Sequence, residues 1–129
     1  MRRLSLLVGS LFVILSVGQV RAFEPQDLVG QWVGRWSASA MSDSMSITIK
    51  KVHGEQVEGT MFVKGPQKYH NRDVDFVGRL VGNTFSADTP TLPGSPSTRW
   101  LLMVDPTGTK MEGTAQATAK DSVSLTKQK

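Results

Sequence analysis

Met45-Ser46-Ile47-Thr48-Ile49, followed by His53-Gly54-Glu55 and then Val57-Glu58-Gly59-Thr60-Met61-Phe62-Val63, decides the fold class of this chain. Met45, Ile47 and Ile49 alternate with Ser46, Thr48 and Lys50, and Val57, Gly59, Met61 and Val63 alternate with Glu58, Thr60, Phe62 and Lys64. A period of two is the signature of a strand with one face buried, and the Gly-containing break between the runs is a turn. The pair therefore reads as an antiparallel hairpin.

The same pattern continues on both sides of it. Trp32, Gly34 and Trp36 share one face upstream. Downstream come Val74-Phe76-Gly78-Leu80, Phe85-Ala87, Trp100-Leu102-Val104, Met111-Gly113-Ala115-Ala117 and Val123-Leu125. Gly82-Asn83 and Asp105-Pro106-Thr107-Gly108 stand between runs as turns. After residue 23 no segment keeps a helical period over three turns. Short strands with turn signals every 8–12 residues predict an all-β, antiparallel up-and-down meander closing into a small barrel of about eight strands. Val52–Thr60 and Val104–Thr114 repeat the order strand end, turn, apolar-Glu-Gly-Thr, as two equivalent hairpins of one meander would. Gly59, Gly78 and Gly113 fall on the inner faces, where glycine permits the sharp bends that curl a sheet shut.

The front of the chain has a different character. Met1-Arg2-Arg3, the uncharged apolar stretch Leu4 to Val17, and Val20-Arg21-Ala22 have the layout of a secretory signal peptide. The expected division is 1–22 signal peptide and 23–129 a single β-barrel domain, exported to the periplasm or exterior of a bacterium. Removing Arg2, Arg3 and Arg21 from fifteen basic residues leaves twelve against eleven acidic ones, a net of +1. So small an excess argues against long-range attraction to nucleic acid. There is no cysteine, which excludes disulfides, thiol chemistry and thiolate metal ligands, so an exported domain must rely on its core.

Pro25 to Leu28 reads as a short helical turn that enters the first strand through Gly30. Gly30-Gln31-Trp32 resembles the Gly-x-Trp start of the calycins, the lipocalin and avidin-like barrels. The hairpin Met45–Val63, with its Gly59-Thr60 step, is similar to the second and third strands of avidins. The resemblance implies a ligand-binding barrel. It does not extend to a Thr-Asp-Tyr motif or to the biotin-contacting pattern, and Lys127 stands where lipocalins carry a late arginine. Leu28-Val29-Gly30-Gln31-Trp32-Val33 also resembles the first strand of bacterial metalloprotease-inhibitor barrels, which implies a protein-interaction module that inserts its N-terminus into a partner.

Trp32, Trp36, Met61, Phe76 and Trp100 all point to the axis of such a barrel, with Gly113, Ala115 and Ala117 as small residues opposite. Two readings stand: these side chains fill the interior, or Trp36, Met61, Phe76 and Trp100 line a cup for a small hydrophobic ligand. Trp32 reads as structural. Arg99 to Val104 is apolar on both faces, leaving Leu101 and Met103 outside, to be covered by the Pro-rich loop Asp88–Thr98 or by another molecule. Lys64, Lys68, His70 and Arg72 form a basic, loop-borne cluster, and Asp73 and Asp75 share an outer face. The two histidines, His53 and His70, show no metal-ligand spacing, and no serine occupies a strand–turn–helix elbow. The sequence thus predicts a binding protein, not an enzyme, with no metal, cofactor, nucleic-acid or membrane partner after signal removal. Expressed with its own leader in a bacterium, the protein should be recovered from the periplasm with Phe23 as its first residue, as read by intact mass. A full-length mass in the membrane fraction would contradict cleavage.

Overall fold

A computed structural model describes residues 23–67, 69–89 and 97–129. Residues 1–22, expected from sequence to be a signal peptide, together with 90–96 and Lys68, lie outside the described residues. Among the described residues, eight antiparallel strands follow one another around a closed barrel. They are β1 (Gly30–Ser37), β2 (Ser42–His53), β3 (Gln56–Val63), β4 (Asp73–Val81), β5 (Thr84–Thr89), β6 (Thr98–Val104), β7 (Lys110–Gln116) and β8 (Lys120–Lys127). The seam joins the ends of the chain, with Gly34 opposite Leu125 and Trp36 opposite Val123.

The alternation predicted from sequence sets which face is buried. Met45, Ile47 and Ile49 are all at most 3% exposed, and so are Val57 and Met61 on the facing strand. One irregularity breaks the period. Ile49 pairs with Gly59 while Lys51 pairs with Glu58, so Lys50 is the extra residue of a β-bulge and Val52 returns to the interior. A bulge of this kind bends the strand and tightens its twist, which helps a sheet close. Ala117 departs from the expected run: β7 ends at Gln116, and Ala117 is exposed beyond it. The Ala117 amide bonds instead to the Ala119 carbonyl in the β7–β8 turn.

One end of the barrel is sealed. Pro25–Leu28 forms a single 3-10 turn whose Glu24 and Asp27 satisfy each other's backbone in a capping box. The turn lies across the opening with Leu28 and Trp32 both 0% exposed, and the Trp32 indole N–H donates to the Leu28 carbonyl at 2.9 Å. Gln26 Nε2 bonds the Val52 carbonyl at 2.7 Å, and Lys127 Nζ bonds the Asp27 carbonyl. Phe23 is buried over Gly108, whose absent side chain leaves it room. The β2–β3, β4–β5 and β6–β7 turns share this end. In the last of them, the Asp105 carboxylate accepts bonds from the Thr107 hydroxyl and the Thr109 and Lys110 amides. Burial pushes the Asp105 carboxyl up, but those hydrogen bonds outweigh it and hold the group below the usual carboxylate range.

Above the seal, Ile47, Phe85, Leu102, Val104, Met111 and Leu125 are all fully buried in the interior. Burial of each such side chain contributes roughly 1.5–3 kcal/mol. The inner-face glycines lie where strands press on their neighbours. A Cβ on Gly59 would stand 2.1 Å from the Thr48 carbonyl oxygen, and one on Gly113 would stand 2.0 Å from that of Leu101. These glycines occupy matching places in the β2–β3 and β6–β7 hairpins, the two halves of the repeat. Outside, Leu101 and Met103 are 47% and 49% exposed, next to Thr84 and Val81.

Gly113→Ala should cost about 3 kcal/mol of stability through overpacking against backbone. Gly54→Ala, at φ +65 with nothing within 4 Å, should cost only about 1 kcal/mol of backbone strain. Urea unfolding midpoints measure the difference, and equal costs would contradict the close approach.

Candidate functional site

Among the described residues, the end opposite the seal is open. The β1–β2, β3–β4 and β7–β8 connections, with the facing ends of β5 and β6, surround a cavity of about 440 Å³ there. That volume falls in the range of small-molecule sites. Trp36, Met61, Val63, Trp100 and Ala115 wall it, and His70, Tyr69, Arg72, Asp73, Thr89 and Asp121 stand around its mouth.

Both tryptophans present carbon to the space, because their one polar group is already used. The Trp36 indole N–H donates to the Lys64 carbonyl at 2.8 Å. The Trp100 indole N–H donates to Thr89 Oγ1 at 3.0 Å, and Thr89 is the one buried polar side chain among the described residues. Across from Trp100 in the β6–β7 ladder sits Ala115, which leaves the space an aromatic residue would occupy. The four residues singled out from sequence thus divide. Trp36, Met61 and Trp100 line the cavity. Phe76 is not among the lining residues and packs lower, edge-on to Phe85 with centroids 5.7 Å apart. Its ring settles over Gly59, whose hypothetical Cβ would stand 3.1 Å from Phe76 Cζ. Trp32 belongs to the sealed end and takes no part.

The β3–β4 connection is tied to itself rather than splayed into solvent. Asn71, at φ 60, donates from Nδ2 to the Gly65 carbonyl at 2.8 Å and accepts the Gly65 amide on Oδ1 at 3.2 Å. His70 Nδ1 accepts the Gln67 amide at 3.1 Å, which leaves Nε2 to carry the proton of the neutral ring. The imidazole rests between Trp36 and Tyr69, with centroid distances of 5.5 and 4.7 Å. Gly65 makes this possible, since a Cβ there would meet the His70 ring at 2.3 Å.

The basic residues expected to cluster on this loop differ in exposure. His70 turns inward, Lys64 and Arg72 are exposed, and Lys68 lies outside the described residues. Desolvation lowers the His70 pKa, opposed by the carboxylates of Asp121 and Asp43, and the net direction is down. Desolvation raises the Asp121 pKa, opposed by His70, and the net direction is up. His53 sits at the sealed end, away from His70, and Asp75 accepts a bond from Thr60 on the outer face. Among the described residues no group of three or more His, Asp or Glu could hold a metal ion. No helix among them is long and apolar enough to cross a membrane.

Asp121 and Thr89 were not singled out from sequence, although the signal was present. Residues 121, 123 and 125 continue one inward phase in β8, and 85, 87 and 89 do so in β5. Compared with known proteins, the chain matches no family model, no curated sequence and no solved structure. The closed eight-strand barrel is compatible with the calycin-like resemblance at the level of fold.

A lowered pKa means that the unfolded chain takes up the His70 proton first. His70 thus subtracts stability as pH falls through its ordinary value of 6.5 toward its folded one, while the raised Asp121 acts in the opposite sense. In an NMR titration, His70 should titrate below 6.5, and Asp121→Asn should move its midpoint lower still. A midpoint that rises in the variant would contradict the pairing.

Proposed function

We propose that this protein is an exported binding barrel that takes a small, largely apolar ligand into its open end. The observation that carries this reading is the one-sided interior: solid packing from the seal to Phe85 and Leu102, then a cavity of about 440 Å³ walled by Trp36, Trp100 and Met61. Evenly filled barrels need no such division, and an apolar wall with a few polar groups at the rim is what a small-molecule site requires. Binding would remove the two indole faces from water, and aromatic faces of this size contribute much of the affinity of such sites.

The base of the barrel supports this reading over a protease-inhibitor-like one. Insertion into a partner's cleft calls for a projecting N-terminal segment. Here Phe23 is 3% exposed against the β6–β7 turn, and Glu24 is held by the capping box. Release of that segment would uncover Leu28 and Trp32. The role proposed is binding and carriage.

The neutral apolar dye phenylnaphthylamine should quench tryptophan emission saturably, with a dissociation constant in the micromolar range. Ala115→Leu, which fills the space beside Trp100, should weaken that binding by about tenfold with the fold retained by circular dichroism. Linear, unsaturable quenching, or full binding in the filled variant, would refute the cup.

A further inference from the structure

The strand register places ionisable groups at the mouth with one sign. In the β1–β2 ladder Asp43 lies directly across from Trp36, so it shares the inner face with that buried indole. In the β7–β8 ladder Asp121 lies across from Ala115, which itself faces Trp100. Both carboxylates therefore occupy inward strand positions next to the two tryptophans. Both also act on His70 at the rim.

Among the described residues no cation occupies an inward strand position at this end. Arg35 and Arg99 are exposed on the outer face, and Arg99 is paired with Asp88. The inward-phased lysine, Lys127, is at the opposite, sealed end on the Asp27 carbonyl. Arg72 borders the mouth from a loop and is exposed, beside the equally exposed Asp73. Asp121 makes no ion pair with any described cation.

From this arrangement we infer that the ligand is an amphiphile with a cationic amine head, its apolar body seated between Trp36 and Trp100 and its head beside Asp121 and Asp43. Indole faces attract cations through their quadrupole, and a partly desolvated carboxylate gains most from a charged hydrogen-bond donor. A carboxylate-headed amphiphile of the same length would meet two inward anions and compete for exposed Arg72. The neutral His70 ring adds no positive charge to offset them. This inference rests on the binding-cup reading and adds the class of ligand to it.

The test uses the mature protein with decylamine, decanol and decanoate, each kept monomeric at about neutral pH and followed by tryptophan emission. Decylamine should bind about tenfold more tightly than decanoate, with decanol between them. In Asp121→Asn the amine-over-carboxylate ratio should fall about tenfold. Binding of all three with no headgroup preference, or tighter decanoate, would overturn the charge inference while leaving the cup intact. Failure of all three to bind would overturn both. If the variant does not fold, the wild-type order of affinities still decides.

Discussion

Closure of a small barrel depends on bringing neighbouring backbones closer than side chains normally allow. At Gly34, Gly59 and Gly113 a Cβ would sit about 2 Å from the carbonyl oxygen of the adjoining strand. Without those positions the strands would have to flatten, and a flat eight-strand sheet leaves two open edges. The same glycines create seats on the inner wall. The Phe76 ring lies over Gly59, and Phe85 leans on Gly78. Curvature and core packing thus come from one set of residues, and neither can be altered without the other.

The interior changes character along its axis for a reason of volume. Near the seal, large aliphatic and aromatic side chains come from every strand and meet at the centre. Toward the mouth, small residues alternate with indoles: Ala38, Ala87 and Ala115 near Trp36 and Trp100. Indoles need support on their polar edge as well as space. That support comes from the Lys64 carbonyl and Thr89 hydroxyl, each supplied by the strand ends that frame the opening. The β3–β4 connection then fixes His70 over Trp36 through the paired Asn71–Gly65 bonds. The described walls and the β3–β4 part of the rim are thus held in place, which would limit the ordering cost of the binding proposed here.

Much of the frame was legible in the sequence because burial in a half-buried strand leaves a period-two trace. Every inward residue read from Met45 through Leu125 within a strand lies on the inner face, and Ala117, exposed just past the end of β7, borders the cavity. The bulge at Lys50 was not read from the sequence, although Lys50-Lys51 in succession, where one should be apolar, is its trace. The site was harder to read. Phe76 has the same phase as its lining neighbours, and only its height on the axis separates it from them. His70 sits among basic loop residues, and nothing local reveals that Asn71 and Gly65 turn it inward. Asp121 was hidden for the opposite reason, as a polar residue continuing an apolar phase at the edge of the core.

The seam between β1 and β8 carries a temporal consequence. Gly34 meets Leu125 and Val33 meets Thr126, partners some ninety positions apart along the chain. Until the residues of β8 are available, the first strand has no second neighbour and the ring stays open. Such distant pairing makes assembly slow and cooperative, a late event for the polypeptide as a whole. Without β8 the ring would keep two unpaired edges, on β1 and β7.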